Sequence, residues 1–305
     1  MIHITTNIDQ EQNTAVAIGN FDGFHSGHEE LIKKIKNITD QKSVIFSFYP
    51  HPKTVITGQM VKEIFTKNEK IELAKKIGID IFIEYPFDLE FAKTTPEHFV
   101  YEILVRRLKC KTLVVGCDYK FGKNRNGDIN SLEILCKKYN IDFFVLSDSL
   151  YNGKKISSSI IRDYIEDGRI TEANKMLSKT FFITGKVIKG MQIGRTINFP
   201  TANILWEENK LIPQKGVYST TIKIEGIIYK SITNIGTRPT VNGSNISIET
   251  HILDFDEDIY HKEVVIYFEK KIRDEKKFSS LEDLKEQIAK DVASRYEYSS
   301  LTFYS

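Results

Sequence analysis

Two imidazoles, His25 and His28, stand three residues apart in the string Gly19-Asn20-Phe21-Asp22-Gly23-Phe24-His25-Ser26-Gly27-His28. Small residues at Gly23 and Gly27 let a ligand come close to the backbone. An apolar run at 15–18 precedes the string. After it, Leu31, Ile32, Ile35 and Ile38 recur at helical spacing, with Glu29 and Glu30 in the first turn. The start of a helix offers unpaired N–H groups and the positive end of its dipole. Two histidine donors at the same place make a combination suited to a triphosphate. The plainer alternative is a pair of surface histidines in a turn; the length of the string and its strand–loop–helix setting weigh against it.

Three further segments have the composition of site loops. Pro50-His51-Pro52 ends an apolar run at 44–48, and Gly116-Cys117-Asp118-Tyr119-Lys120-Phe121-Gly122 ends another, with Arg125 and Gly127 just beyond. Ligands of open α/β sheets sit past the carboxyl ends of strands, where both of these lie. Ser157, Ser158 and Ser159 open a helical stretch carrying Arg162; they could be a simple cap or could hold phosphates. In the second half, residues 190–203 combine Gly190 and Gly194 with Thr201 and Asn203, two neutral oxygens that could complete the shell of a Mg²⁺ already bound to phosphate. A hairpin loop with a threonine–asparagine turn is the alternative. Glu249 lies in an alternating run, on the face opposite Ile248 and Thr250. It could be a solvent-facing strand residue or could take a proton from a hydroxyl, and the pattern does not choose.

The elements that would carry these residues fall into two groups. Short apolar runs at 15–18, 44–48, 79–85, 112–115 and 143–146 alternate with helical stretches, among them one opened by the capping box Thr66-Lys67-Asn68-Glu69 and one by Thr95-Pro96. Repeated strand–helix–strand means a doubly wound parallel sheet. Near residue 180 the apolar period changes to two: Tyr218, Thr220, Ile222 and Ile224 share a face, as do Ile246, Ile248, Thr250 and Ile252, and Val264, Ile266 and Phe268. Glu225-Gly226 reads as a hairpin turn. Consecutive strands without helices predict a closed antiparallel barrel. A last helix begins at Ser280-Leu281-Glu282-Asp283, with Leu281, Leu284, Ile288 and Val292 as its apolar stripe. The expected domains are residues 1–180 and 181–305.

A length of 305 residues fits two domains. Forty-three basic against 41 acidic residues argue against a protein whose main task is gripping nucleic acid. No apolar run approaches the ~18–20 residues of a membrane helix, and the first residues lack the pattern of a signal peptide. Cys110, Cys117 and Cys136 are too few and too irregular for a disulfide scaffold or a zinc ribbon. The expectation is a soluble, cytoplasmic protein without membrane or nucleic-acid partners.

Taken together, the Gly19–His28 string, the Pro-His-Pro segment, the Gly-x-Asp-x-x-Phe-Gly segment and Ile-Ser-Ser-Ser-x-Ile-Arg resemble the adenylyltransferase half of bacterial bifunctional riboflavin kinase/FAD synthetase. The string Gly194-Arg195-Thr196-Ile197-Asn198-Phe199-Pro200-Thr201-Ala202-Asn203, the loop at 234–240, Glu249-Thr250-His251 and Ile272-Arg273-Asp274-Glu275 resemble its riboflavin kinase half. The resemblance implies a nucleotidyltransferase α/β domain, then a six-stranded barrel with a C-terminal helix. It implies ATP, riboflavin, FMN and FAD as substrates and products, and Mg²⁺. His25, His28 and Arg162 would stabilise charge in adenylyl transfer, with Gly19, Phe21, Gly23, Gly27, Ser157, Ser158 and Ser159 on ATP, and Pro50, His51, Pro52, Asp118, Phe121 and Arg125 on the flavin side. In the kinase half Gly190, Gly194, Arg195, Thr196 and Pro200 would hold ATP, and Thr201 and Asn203 the metal. Asn234, Arg238 and Arg273 would face the flavin, and Glu249 would be the base. Asn198 and His261 depart from the family pattern, which has glycine at each; Cys117 takes no redox role.

Overall fold

The computed structural model describes residues 1–190, 199–240 and 243–297, with the side chains of 238–240 and 243–245 outside that description. Two compact units divide the chain, Met1–Ser157 and Ser158–Ser305.

In the first unit β1 (Ile2–Ile4), β2 (Thr14–Ile18), β3 (Lys42–Tyr49), β4 (Ile81–Pro86), β5 (Cys110–Gly116) and β6 (Asp142–Leu146) form a parallel sheet in the order β1-β4-β3-β2-β5-β6. All five residues of β2 are buried, as expected for a parallel strand covered on both faces. Val16, Ile18, Val44, Phe46, Ile81 and Ile83 pack on one face with Phe99, Ile103 and Leu104. The helices are α1 (Ser26–Lys36), α2 (Pro52–Thr57), α3 (Lys67–Ile77), α4 (Pro96–His98 continuing as the wider-turned Phe99–Arg107) and α5 (Ile129–Lys138). The capping box of α3 forms as expected: Thr66 N donates to Glu69 Oε2 at 2.9 Å. Strand β1 carries no sequence signal, being three residues long at the sheet edge, partly exposed, and paired with β4. Strand order reverses between β2 and β5, so a crevice opens past their carboxyl ends. A short hairpin, β7 (Leu150–Tyr151) and β8 (Lys154–Lys155), completes this unit.

The second unit begins with α6 (Ser158–Glu166) and α7 (Ile170–Leu177). Then β9 (Phe181–Ile188), β10 (Ala202–Trp206), β11 (Gly216–Ile224), β12 (Ile227–Thr240), β13 (Gly243–Ile252) and β14 (Glu263–Arg273) close into the expected barrel, in the order β10-β13-β12-β11-β14-β9. The Glu225-Gly226 turn forms with φ of 49° and 92°, the left-handed pair a tight hairpin requires. His261 also adopts a left-handed φ of 68°, so the departure from glycine there is accommodated without changing the conformation glycine would take. Inside the barrel Tyr218, Ile222, Ile248, Ile266 and Phe268 are buried. Hydroxyls among them satisfy one another: Thr220 bonds Ser231 at 2.8 Å and Thr233 at 2.9 Å, and Thr233 bonds Thr250 at 2.9 Å.

The last helix, α8 (Leu281–Glu297), is present, but its seat differs from the apolar stripe expected. Leu281 is exposed, and the helix's buried side chains are Asp291 and Arg295. Arg295 Nη2 meets Glu269 Oε1 at 3.0 Å, and its Nε donates to the Thr220 carbonyl at 3.1 Å. Arg273 grips Asp291 through Nε at 3.0 Å and Nη2 at 2.8 Å. Removing one partner of a buried pair leaves the other charge uncompensated. Arg295→Ala is therefore expected to destabilise the barrel by about 3–5 kcal/mol in urea unfolding. The double replacement Arg295→Met with Glu269→Leu should recover most of that loss. A single variant with the parent's midpoint would refute the ionic seat.

Candidate active sites

The loop from β2 into α1 is held in an unusual shape. Phe21, Gly23 and Phe24 have φ of 48°, 92° and 46°. Non-glycine residues pay for that conformation, and burial of both phenylalanine rings holds them in it. Phe21 packs on Phe24 at 5.8 Å and on His28 at 4.9 Å between ring centroids. His25 caps α1: its Nδ1 accepts the His28 backbone N–H at 3.4 Å. The two imidazoles stack at 3.7 Å and 18°. A Cβ on Gly27 would stand 3.3 Å from the His25 ring, so glycine keeps that ring seated. The structure thus brings Gly19, Phe21, Gly23, His25, Gly27 and His28 together at one helix start. Phe21 is fully buried and serves as packing under the loop. Asp22, quoted in the string but given no role there, is buried, and its Oδ1 accepts from Ile64 N at 2.8 Å.

The flavin-side candidates of the first unit follow the carboxyl ends of β3 and β5. His51 caps α2, with Nδ1 accepting from Lys53 N at 3.1 Å and Nε2 lying 3.5 Å from Asn20 Nδ2. Pro50 is exposed, and Pro52 opens α2. Phe121 is buried and stacks on Tyr119 at 5.6 Å. A Cβ on Gly127 would meet the Phe121 ring at 2.6 Å, which explains glycine there. Asp118 and Arg125 are exposed. Asp118 pairs with Lys155 of β8 at 2.8 Å, and the same lysine holds Asp148 at 2.8 Å. Partial desolvation works against the Lys155 charge, but the hydrogen bonds that the lysine donates to the two carboxylates outweigh it and raise its pKa. Partial desolvation and the Asp148 carboxylate, to which the thiol donates at 3.2 Å, raise the Cys117 pKa. Lys155 had no sequence signal beyond its place ahead of the serines. Ser158, Ser159 and Arg162 belong to α6 of the second unit, and Ser157 ends the first.

In the barrel, strand register gathers the kinase candidates into a row. Asn203 of β10 lies directly opposite Glu249 of β13, and Glu249 directly opposite Asn234 of β12. Asn234 pairs in turn with Val217, and Val217 with Arg273. Residues paired in this way share a face. Their neighbours Thr233, Ile235, Ile248 and Thr250 are buried inside, so the row lies on the outer wall. Asn203 is buried; Glu249 and Asn234 are half-buried. A Cβ on Gly190 would overlap the Asn203 carboxamide, so that side chain rests directly on the glycine backbone. The Pro200 carbonyl lies 2.8 Å from His251 Nδ1, and the Phe199 ring stands edge-on to His251 at 5.3 Å. His251, given no role from the sequence, thereby ties Phe199 and Pro200, the residues just before Thr201, to β13. Arg273 spends its donors on Asp291 and on the Asp274 carbonyl. Gly194, Arg195, Thr196 and Asn198, with the side chain of Arg238, lie outside the described residues.

Two family models match this chain: FAD synthetase over residues 7–160 and riboflavin kinase over residues 177–298. The Escherichia coli (strain K12) bifunctional riboflavin kinase/FMN adenylyltransferase is 34% identical over 308 residues, 99% of this chain and 97% of its own. The chain belongs to the bifunctional riboflavin kinase/FMN adenylyltransferase family. A Listeria monocytogenes member is 36% identical over 297 residues, covering 94% of this chain and 93% of its own. Among solved structures, a Streptococcus pneumoniae chain described as a macrolide-efflux protein superposes with a TM-score of 0.90 at 28% identity, over 98% of this chain and all of that one. That description names another activity; the fold is shared, and the domain matches carry the family assignment. Both family domains are thus present, in the order the sequence motifs implied.

Gly190→Ala should push the Asn203 carboxamide out of the row. Riboflavin phosphorylation is expected to fall about tenfold or more, since small misplacements near reacting groups are costly. FAD formation from supplied FMN should stay at the parent rate. Steady-state kinetics on the two half-reactions check this.

Proposed function

We propose that residues 181–305 phosphorylate riboflavin with ATP and that residues 1–180 join the resulting FMN to the AMP part of ATP. The observation that carries the kinase reading is the register-fixed row Asn203–Glu249–Asn234. The terminal ribityl hydroxyl attacks the γ-phosphorus of ATP, the bond to the β-phosphate oxygen breaks, ADP leaves, and the hydroxyl proton passes to Glu249. A sugar hydroxyl is a poor nucleophile, and a carboxylate fixed on a strand is well placed to take its proton. Asn234 and Arg238 hold the flavin side. Arg273 shapes it through the stretch it anchors, and Gly190, Gly194, Arg195, Thr196 and Pro200 hold ATP. The donor chemistry fits Mg²⁺: Thr201 and Asn203 offer hard, neutral oxygens beside a carboxylate, enough for an ion ligated mainly by phosphates. When bound, it neutralises phosphate charge as the γ-phosphoryl group moves.

In adenylyl transfer the nucleophile is the FMN phosphate, already anionic, so no base is needed. Its oxygen attacks the α-phosphorus, and pyrophosphate leaves. His25 and His28, stacked at the start of α1, stabilise charge on the transferring and leaving phosphates. Arg162, Ser157, Ser158 and Ser159 are assigned to the same reaction by their match to the family motif; Pro50, His51, Pro52, Asp118, Phe121 and Arg125 are assigned to the flavin. Among the described residues no helix is long and apolar enough to cross a membrane. The near balance of 43 basic against 41 acidic residues supports work on small molecules rather than on nucleic acid.

Product analysis with riboflavin, ATP and Mg²⁺ tests the whole reading: FAD supports it, and FMN alone would leave the first half silent. His28→Ala should stop FAD formation while FMN accumulates. Glu249→Gln keeps shape and loses basicity. It should lower kinase turnover by about 10²–10⁴-fold, with FAD formation from supplied FMN untouched. A Glu249→Gln protein within a few-fold of the parent rate would remove the base assignment.

A further inference from the structure

Beneath the nucleotide loop lies a group of charges that neither reaction uses. Glu84 of β4 is buried and is met by a histidine and two lysines. His3 Nε2 of β1 stands 2.9 Å from its Oε2, Lys67 Nζ 3.6 Å from the same oxygen, and Lys70 Nζ 3.9 Å from Oε1. Lys70 is itself buried and lies 3.8 Å from buried Glu63. Such a set is costly to bury, and apolar residues of the same volume would serve stability as well or better. What it supplies is a fixed arrangement of the elements that contribute to it.

Those elements touch the first site in three places. Ile64, next to Glu63, donates its N–H to Asp22 in the loop carrying His25 and His28. Lys67 lies over the Tyr49 ring at 4.9 Å, immediately before Pro50 and His51. Ser47, directly opposite Glu84 on β3, donates its hydroxyl to the Asn20 carbonyl at 3.0 Å. One buried carboxylate therefore sits where the supports of the nucleotide loop and of the flavin-side turn converge.

We propose that Glu84 is a positioning residue for adenylyl transfer: through Lys67 and Lys70 it fixes residues 63–70, which hold the His25/His28 loop through Asp22 and the Pro50–His51 turn through Tyr49. The inference rests on the assignment of His25 and His28 to that reaction.

The test uses the full chain and measures kcat and KM for FAD formation from FMN and ATP, with riboflavin phosphorylation in the same preparation as the control. Glu84→Gln keeps size and removes the charge that gathers the lysines. It should lower kcat for FAD formation about tenfold and raise KM for FMN, with the kinase rate unchanged. A folded Glu84→Gln protein with both constants within twofold of the parent overturns the proposal, whatever its melting temperature. Lys67→Met, at a partly exposed position, decides the matter if Glu84→Gln does not fold. A several-fold rise in KM for FMN with KM for ATP unchanged supports the role, and an unchanged KM for FMN overturns it. Combining Glu84→Gln with Asp22→Asn should give an effect smaller than the product of the two alone, because both act along one route; strict multiplication removes that route. His28→Ala in the same assay reports on the underlying assignment. Parent-like turnover there removes the site itself, whereas an inactive His28 variant beside a parent-like Glu84 variant removes only the positioning role.

Discussion

The kinase site depends on the backbone pairing of β10, β13 and β12. Asn203, Glu249 and Asn234 are far apart in the chain, and ladder hydrogen bonds alone set them side by side. A slip of one residue would turn Glu249 into the interior and bring Ile248 or Thr250 outward. The interior forbids that slip. Ile248 is packed among apolar side chains, and Thr250 is bound to Thr233, which is bound to Thr220. A buried carboxylate in place of either would lose its solvation without a cation to meet. The filling of the barrel therefore determines the placement of Glu249 on its outer wall.

The other half solves a different problem. Its nucleophile arrives charged, so the protein must supply positive potential and donors rather than a base. A helix start does this cheaply, provided the preceding loop places the side chains where the dipole points. Left-handed φ values at Phe21 and Phe24 turn the chain sharply enough to stack His25 on His28, and burial of the same two residues holds the turn. Strain and packing fall on the same side chains, which is why an aromatic can stand where the backbone alone would favour glycine.

Much of this was legible in the sequence because it is local or periodic. The capping box of α3, the Glu225-Gly226 turn, the switch from helical to two-residue periodicity and the strand–loop–helix setting of His25 and His28 all reside in short windows. Strand β1 was not legible, because three partly exposed residues at a sheet edge take their structure from pairing with the distant β4. The seat of α8 differs from its sequence pattern for a related reason. Its leucine stripe is real as a pattern, but the barrel wall it meets presents Glu269 and Arg273, and pairing with Arg295 and Asp291 outweighs the stripe. Roles such as those of His251 and Asp22 depend on partners some 40 or more residues away, Pro200 and Ile64, which no window contains.

The same distinction separates the groups that react from those that place them. His28 stands out by residue type and strand–loop–helix setting, whereas Glu249 takes its proposed role from its match to the family motif, the alternating run alone leaving it open. The groups that place them are of ordinary type: a glycine under Asn203, a histidine ring against Pro200, a serine hydroxyl on the Asn20 carbonyl. Each acts through one contact whose geometry is set by strand register or by a helix start, and each could be another residue if the contact were made another way. Chemistry therefore constrains the reacting residues across different folds, whereas the fold constrains the residues that support them.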